Sequence, residues 1–314
     1  MPRKLAFFLR AVFSLLLLWV VLQKIEWVRL AEVLARSRWE FAALAFSLLP
    51  LLVFLLALRW QIFLRQQNLF LPMGSVFVTT WAGQFFNTFL PGSTGGDLVK
   101  IVQVCRWCPQ KKSSGVASIF LDRLSALLAL LVFVVFSIFR QPIPCEKFGI
   151  SQSAGWVVLL AAGVLGCGAL ALLIRYSERL RTQVVHVLAA AETAFSSKRS
   201  MAAGVAMAFV VHSVSFLFFY LSAHAVGLNI TFGQAMMICP VVILLTMLPL
   251  TVNGHGVREV ILISYFSVLQ FSPPDGIAES VVALSIISIS MDFLWNLPGG
   301  LFYIFGFNKN PVKP

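Results

Sequence analysis

Charged residues are scarce in this chain, and acidic residues are the scarcest of them. Only 11% of the 314 residues are Asp, Glu, Lys or Arg, and 59% are hydrophobic. Soluble domains carry about 25% charged and about 45–50% apolar residues. This composition and the mean hydropathy of +0.90 exclude a water-soluble globule and indicate a membrane protein. The length allows one bundle of spanning helices without a sizeable extramembrane domain.

Recognisable catalytic and metal-binding patterns are also missing. We find no nucleophile with an adjacent base, no nucleotide-binding loop and no cluster of metal ligands. The five cysteines form no disulfide framework, and Cys105 and Cys108 make one isolated C-x-x-C. A structural zinc site normally needs four ligands, so we interpret these cysteines as small apolar fillers. The sequence therefore predicts no catalytic residue, no metal and no cofactor.

The formal net charge of +12 does not indicate nucleic-acid binding. The basic residues stand in short clusters between apolar runs, as expected for loops that orient a membrane protein. A bilayer core of about 30 Å needs about 20 apolar residues in a helix. Six stretches meet or approach that length: residues 5–22, 41–58, 116–139, 156–174, 201–226 and 277–307. The first resembles a signal peptide but lacks a small-residue cleavage site, so we interpret it as a retained helix.

Two further apolar segments, residues 76–112 and 235–271, are interrupted near the middle by proline and glycine. Each arm is too short to span a membrane alone. Proline lacks an amide hydrogen and glycine accepts unusual dihedral angles, so each segment should form two half-helices. A broken backbone at membrane depth persists only where it is buried in protein or lines a wet cavity. We therefore expect two re-entrant helical hairpins.

The two interruptions are copies of one another. A shift of 158 positions aligns residues 88–102 with residues 246–260 without a gap, and six of the 15 positions are identical. Ser93 then meets Thr251, and Lys100 meets Arg258. The sequence thus predicts a single transmembrane domain over residues 1–314 that contains two repeats, residues 1–150 and 151–314.

The distribution of Lys and Arg predicts that the repeats are inverted. Basic residues place both termini and the ends of the first hairpin in the cytoplasm, whereas the connections at 227–233 and 272–277 have none. Three spans per repeat, an odd number, invert the second copy. Residues 24–40 fall outside in this scheme despite four basic residues, and we interpret them as a surface helix. The predicted fold is an all-α polytopic membrane protein with two inverted repeats, each of three spans and one re-entrant Pro/Gly-broken hairpin.

Inverted repeats that meet through broken helices indicate a substrate site near the membrane midplane. The second arm of each hairpin would point its amide hydrogens and positive dipole end inward, where they attract phosphate. Lys100 and Arg258 lie about one turn into these arms. The candidate ligand is an anionic phospholipid or a polyprenyl-phosphate-linked lipid. From the hairpins, the candidate binding residues are Asn87, Pro91, Ser93, Thr94, Gly95, Gly96, Asp97, Lys100, Pro249, Thr251, Asn253, Gly254, His255, Gly256, Arg258 and Glu259.

Three ionisable residues inside other spans complete the candidate set. Asp122 and Arg123 should pair with each other or with a hairpin residue. Asp292, near the middle of the last span, should pair with Arg258 or His255. A purely structural ion pair is an open alternative for each of these, as is a Pro/Gly break that serves only to kink packed helices.

The strings at residues 90–100, LPGSTGGDLVK, and 248–259, LPLTVNGHGVRE, resemble the paired signatures of the flippase-like transmembrane domain of lysylphosphatidylglycerol synthases. The resemblance covers nearly the whole chain. It implies eight membrane helices when the hairpins are counted, and movement of a lipid between leaflets. Lys100 replaces the family's usual Arg, which removes the bidentate fork for phosphate. The synthase's aminoacyl-transferase domain is absent, so lysine transfer is not implied.

Two functions remain open at this point. The first is a lipid translocase of the cell membrane, the inner membrane in a bacterium. The second is a membrane-embedded enzyme or accessory subunit that acts on a lipid-linked phosphate, with Asp97, His255 or Glu259 as general base. Besides membrane lipid, a second copy of the chain and a lipid-modifying enzyme are the partners to consider, and nucleic acid is not.

Overall fold

The computed structural model describes residues 26–89, 95–140, 197–247, 256–268 and 276–304, and the regular secondary structure in these ranges is all helical. This confirms the all-α class of the predicted fold. In chain order the helices are α1 (Trp27–Ala35), α2 (Trp39–Gln66), α3 (Met73–Phe89), α4 (Gly95–Trp107), α5 (Lys112–Arg140), α6 (Lys198–Ala225), α7 (Phe232–Met247), α8 (Val257–Val268) and α9 (Ile277–Ile304).

Four of the described helices are long and apolar enough to cross a membrane, namely α2, α5, α6 and α9. They coincide with four of the six predicted spans. The other two, residues 5–22 and 156–174, lie outside the described residues. The run predicted at 41–58 is too short, because α2 continues to Gln66. Arg59 and Gln61 do not end this helix, since both are buried and bonded within the protein.

Each Pro/Gly-interrupted segment consists of two helices that pack against each other, α3 with α4 and α7 with α8. In the first pair the backbones are in close contact, because a Cβ atom added to Gly96 would lie 2.6 Å from the carbonyl oxygen of Gly83. In the second pair, Gly256 precedes α8 with φ +85°. That left-handed conformation favours glycine at the turn into the helix.

The bundle has two distinguishable ends. At one, which we call the α1 end, the amide of Arg38 donates to the carbonyl of Ala225 at 2.8 Å, and the amide of Glu26 donates to Glu279 Oε1 at 3.2 Å. At the opposite end, Lys111 Nζ donates to the carbonyl of Asn68 at 3.3 Å. Residues 26–38 thus lie at the same end as the connection after α6 and the start of α9. The short helix α1 agrees with the helix predicted within residues 24–40.

Two hydrophobic cores lie at these two ends. The larger core, at the α1 end, contains α7 and α8 and buries Leu30, Ile230, Leu262 and Phe266. The smaller core lies at the opposite end, contains residues of α3 and α4, and buries Trp60, Leu71, Val76, Val104 and Trp107. Consequently the α3–α4 pair and the α7–α8 pair are anchored in different cores.

The packing between helices crosses from one half of the chain to the other. Helix α2 packs along α6, α3 packs on α9, and α7 packs on α5. The seam between α3 and α9 is close-packed: Trp81 stacks on Trp295 at 5.0 Å between ring centroids, and Cβ atoms on Gly299 or Gly300 would collide with Trp81 or Phe85. Small residues permit this approach, as is usual where membrane helices associate.

The contact between Gly83 and Gly96 yields a stability prediction. Gly96→Ala should lower the free energy of unfolding in detergent by about 1–3 kcal/mol, because the added methyl group meets rigid backbone. Gly74→Ala, in α3 with no atom within 4 Å of the added Cβ, is the matched control and should not destabilise the protein. Thermal unfolding of both variants in one detergent checks this. Equal midpoints for the two variants would contradict the close contact.

Candidate functional site

A charged cluster lies between α2, α4 and α5, and we call it the first cluster. Asp122, 2% exposed, accepts a hydrogen bond from Arg59 Nε at 2.7 Å, and its other oxygen lies 3.5 Å from Lys100 Nζ. The Lys100 ammonium group also lies 4.7 Å from the ring centroid of Trp60. One buried carboxylate therefore neutralises one of two buried cations, and the indole face attracts the other.

The more accessible part of the first cluster joins α4 to α5. Arg123 donates two parallel hydrogen bonds to Asp97, from Nε to Oδ2 at 2.8 Å and from Nη2 to Oδ1 at 2.9 Å. The two side chains are 44% and 22% exposed. Asp122 and Arg123 thus pair with the hairpin residues Lys100 and Asp97, one of the two arrangements predicted. With three cations and two carboxylates, the cluster carries one formal positive charge in excess.

One backbone amide at the start of each second arm is already bonded within the protein. The amide of Gly96 donates to Asn87 Oδ1 at 2.7 Å, and the amide of Gly256 donates to Glu259 Oε2 at 2.6 Å. The second contact is the return half of a capping box, in which the third helical residue caps the amide before the helix. Fewer amides are left for an anion than the sequence suggests, so the attraction falls mainly to the cationic side chains.

Glu259 has a positioning role. It is 2% exposed, and its other oxygen, Oε1, accepts a hydrogen bond from Ser285 of α9 at 2.7 Å. Both carboxylate oxygens are therefore occupied, one by the start of α8 and one by α9. This arrangement fixes α8 against α9 and leaves Glu259 poorly suited to be a general base.

A second cluster lies between α8 and α9. It consists of Arg258, Glu259, Ser285, Ser288, Asp292 and Asn296, and its four α9 members are three or four residues apart and so share one face of the helix. Arg258 Nη2 donates to Ser288 Oγ at 3.1 Å. Within the described ranges this hydroxyl is the one hydrogen-bond partner of the guanidinium group, and no carboxylate is ion-paired with it.

The polar groups beyond Ser288 on this face have spare bonding capacity. Asp292 makes no hydrogen bond or ion pair with any described residue, although Arg258 is near enough to act on it electrostatically. Asn296 is 8% exposed, and its Oδ1 has no partner in the described part of the chain. The predicted pairing of Asp292 with Arg258 is thus an electrostatic proximity without a direct ion pair.

Both interrupted segments lie inside the region that a family model matches. Residues 7–289 match the model of the family described as the lysylphosphatidylglycerol synthase TM region. The chain belongs to this family. It is also similar to a UPF0104 membrane protein of Pyrococcus horikoshii, with 22% identity over 285 residues that cover 82% of this chain and 84% of that protein. The family resemblance expected from the sequence is confirmed.

The structure divides the predicted site residues of this family member into three groups. Asp97, Lys100, Asp122 and Arg123 belong to the first cluster, and Asn87 contacts Gly96 at the start of α4, where Gly95 also lies. Gly256, Arg258, Glu259 and Asp292 lie together at the second. Pro91, Ser93, Thr94, Pro249, Thr251, Asn253, Gly254 and His255 lie outside the described residues.

Sequence reasoning missed Arg59, which it counted only among the cytoplasmic charges that orient the chain. A signal was present, because Trp60, Phe63 and Leu64 continue the apolar pattern of α2 past this residue and place it inside the helix. Ser285 and Ser288 were also missed, and serine in an apolar span carries little signal by itself.

Cys105 and Cys108 are free thiols, and burial raises the pKa of the Cys108 thiol, which disfavours the thiolate that binds metals or exchanges disulfides. The described ranges contain no group of three or more His, Cys, Asp or Glu residues that could hold a metal ion.

The first cluster yields a prediction on stability. Asp122→Asn should lower the free energy of unfolding in detergent by about 3–5 kcal/mol, since it leaves Arg59 and Lys100 buried without their carboxylate. Asp97→Asn is the matched control and should change it by less than about 1 kcal/mol, because its pair with Arg123 is partly exposed. Chemical unfolding followed by tryptophan fluorescence compares the two. A similar loss in both would contradict the assignment of Asp122 as the buried anchor.

Proposed function

We propose that this family member binds an anionic lipid by its phosphate group and moves it, chemically unaltered, between the two leaflets of the membrane. The observation that carries the proposal is Arg258, a guanidinium group in an apolar helix bundle whose one described hydrogen-bond partner is a serine hydroxyl. A cation at that depth is expensive unless it has a counter-charge or a function. An anionic lipid head group supplies the counter-charge when it binds.

The chemistry of Arg258 favours phosphate as that anion. A guanidinium group presents five donors in a planar fork that matches two oxygens of a phosphate. Among the described residues one bond is made, to Ser288, so donors remain for a ligand. Arg258 is partly accessible, as a residue that lines a cleft would be. A phosphodiester lipid brings the phosphate to this depth from the bilayer itself.

Lys100 contributes to the proposed passage in a different way. It occupies the position equivalent to Arg258 in the alignment of the two strings, but Asp122 and the Trp60 ring already hold it. The single excess positive charge of the first cluster would attract the lipid anion without binding it as tightly as Arg258. Two binding sites of unequal affinity for the lipid anion suit a translocase, because the lipid must bind and also be released.

The packing supports inverted repeats with re-entrant hairpins as the architecture of this passage. The equivalent helices α2 and α6 pack on each other, and the equivalent pairs α3–α9 and α7–α5 make the same kind of contact. The α3–α4 and α7–α8 pairs are anchored in cores at opposite ends. These relations are those expected when a pseudo-twofold axis in the membrane plane relates the halves.

The orientation that we propose places the α1 end outside the cell and the opposite end in the cytoplasm, with both termini cytoplasmic. Lys111 and Asn229 are exposed at the two ends. In a background without native cysteines, Lys111→Cys should react with a membrane-impermeant maleimide only after the cells are opened, whereas Asn229→Cys should react in intact cells. Labelling of both residues from the same side would contradict the inverted arrangement.

The function itself is tested with Arg258→Ala in proteoliposomes. Loss of the charge-assisted hydrogen bonds should weaken binding of phosphatidylglycerol about ten- to a hundredfold and slow its movement in a leaflet-selective quenching assay. Arg106→Ala, which removes an exposed cation from α4, is the matched control and should bind and move lipid normally. Equal rates for the two variants would contradict the proposal.

Product analysis in the same vesicles separates transport from chemistry. Unaltered lipid in the far leaflet supports translocation, whereas modified lipid supports the alternative of a membrane-embedded enzyme. A homodimer and a lipid-modifying enzyme as partners stay predictions from the sequence.

A further inference from the structure

The acidic residues of the two clusters differ in how they are bonded. Asp97 is held by Arg123, Asp122 by Arg59 and Lys100, and Glu259 by Ser285 and the amide of Gly256. Asp292 is the exception, since no described residue gives it a hydrogen bond or an ion pair. It is the sixteenth of the 28 residues of α9, and so lies near the middle of a helix about 42 Å long.

The described helices that pack against α9 could each place charge at Asp292. These helices are α1, α2, α3, α6 and α8. Helix α3 has no ionisable side chain. The charged and titratable groups of the others are Arg29 and Glu32 in α1, Glu40, Arg59 and Arg65 in α2, Lys198, Arg199, His212, Tyr220 and His224 in α6, and Arg258, Glu259 and Tyr265 in α8. On α9 itself they are Glu279 and Tyr303.

Of these groups, Arg258 alone acts on the Asp292 carboxylate. His255 precedes α8 and lies outside the described residues. The charge balance at Asp292 therefore depends on whether Arg258 is available to it or is engaged by a ligand.

We propose that Asp292 is a proton-binding site, and that binding of an anionic lipid at Arg258 is coupled to uptake of one proton by the Asp292 carboxylate. This inference rests on the proposed function. In the free protein, Arg258 and Asp292 carry opposite charges near one another without a direct ion pair, so Arg258 keeps its affinity for an anion while Asp292 has one cation nearby. A lipid phosphate at Arg258 satisfies that cation, so Asp292 becomes an uncompensated negative charge beside a second anion in an apolar surrounding. Transfer of a proton from water to its carboxylate restores neutrality.

The neighbouring groups suit a carboxyl that alternates between two protonation states. Asn296 lies one turn further along the same face of α9 and is 8% exposed. Its Oδ1 has no hydrogen-bond partner among the described residues, so it can accept a hydrogen bond. A protonated Asp292 can donate one, whereas the carboxylate cannot. Asp292 is partly accessible, and the proton would reach it from water in the proposed passage.

Coupling of lipid binding to proton uptake fixes the net charge that the protein carries with its lipid. A phosphodiester lipid carries one negative charge, and the proton cancels it, so the loaded protein carries the same net charge as the empty one. Linkage makes the effect reciprocal: if the bound state holds one more proton, affinity for the lipid rises as the pH falls.

The test measures binding of phosphatidylglycerol to the full-length protein in detergent micelles. Its phosphodiester keeps one negative charge between about pH 5 and pH 8, so a change in affinity over this range does not come from the lipid. For the wild type, affinity should rise as the pH falls, by up to about tenfold per pH unit. Asp292→Asn, an uncharged isostere of the protonated acid, should bind equally well at every pH and about as tightly as the wild type does at the lowest. Glu32→Gln, which neutralises an exposed acid on α1, is the matched control and should keep the wild-type slope.

Calorimetric titration of the wild type in two buffers of different ionisation enthalpy counts the protons directly and needs no variant. It should show uptake of about one proton per lipid bound in the range where the slope is steepest. Affinity that does not change with pH, or a slope that survives in Asp292→Asn, would overturn the inference alone. So would a slope that disappears in His255→Gln while Asp292→Asn keeps it. Absence of phosphatidylglycerol binding at every pH would overturn the proposed function as well.

Discussion

In a bilayer core, a polar group without a partner inside the protein costs several kcal/mol, because lipid tails offer no hydrogen bonds. A membrane protein whose apolar segments are interrupted has to satisfy the resulting helix ends with its own side chains. Asn87 does so for Gly96 and Glu259 does so for Gly256, and Asp122 does the same for the buried Arg59. Groups that are fully engaged in this way support the structure. Those with spare capacity, Arg258 and Asp292 above all, are where the protein can act on something else.

The two halves of the chain use equivalent positions for different purposes. Lys100 and Arg258 align in sequence, and each points from the second arm of a hairpin towards a long helix. The first faces a carboxylate of α5, and the second faces a hydroxyl of α9. A carboxylate neutralises a cation and removes most of its affinity for another anion, whereas a hydroxyl orients the cation and leaves its charge available. The difference between the clusters therefore lies in the partner helices as much as in the hairpin strings.

The long apolar helices and the two breaks could be predicted from the sequence, because hydrophobic length and Pro/Gly interruptions are local properties. Arg59 could not be placed by counting charges, because the assignment of Lys and Arg to cytoplasmic loops treats every basic residue as exposed. Its partner Asp122 is also 63 residues away in the chain. The return cap by Glu259, three residues after Gly256, has a recognisable spacing and was within reach of sequence reasoning. The pairing of Arg258 with Ser288 was not, because it depends on the rotation and depth of α8 against α9.

The seams between the halves restrict how the proposed passage could open. Helix α3 of the first half is locked to α9 of the second by the stacked pair Trp81 and Trp295 and by the hydrogen bond from Trp81 Nε1 to the carbonyl of Trp295 at 3.0 Å. Helix α7 of the second half packs on α5 of the first, where Ser137 donates to the carbonyl of Met237 at 2.5 Å. Separation of the two halves as rigid bodies would break both seams at once. Because dense packing resists such a loss, the proposed exposure of Arg258 is better accommodated by breaking the single hydrogen bond from Ser285 to Glu259, which would let α8 tilt against α9 while both seams stay closed.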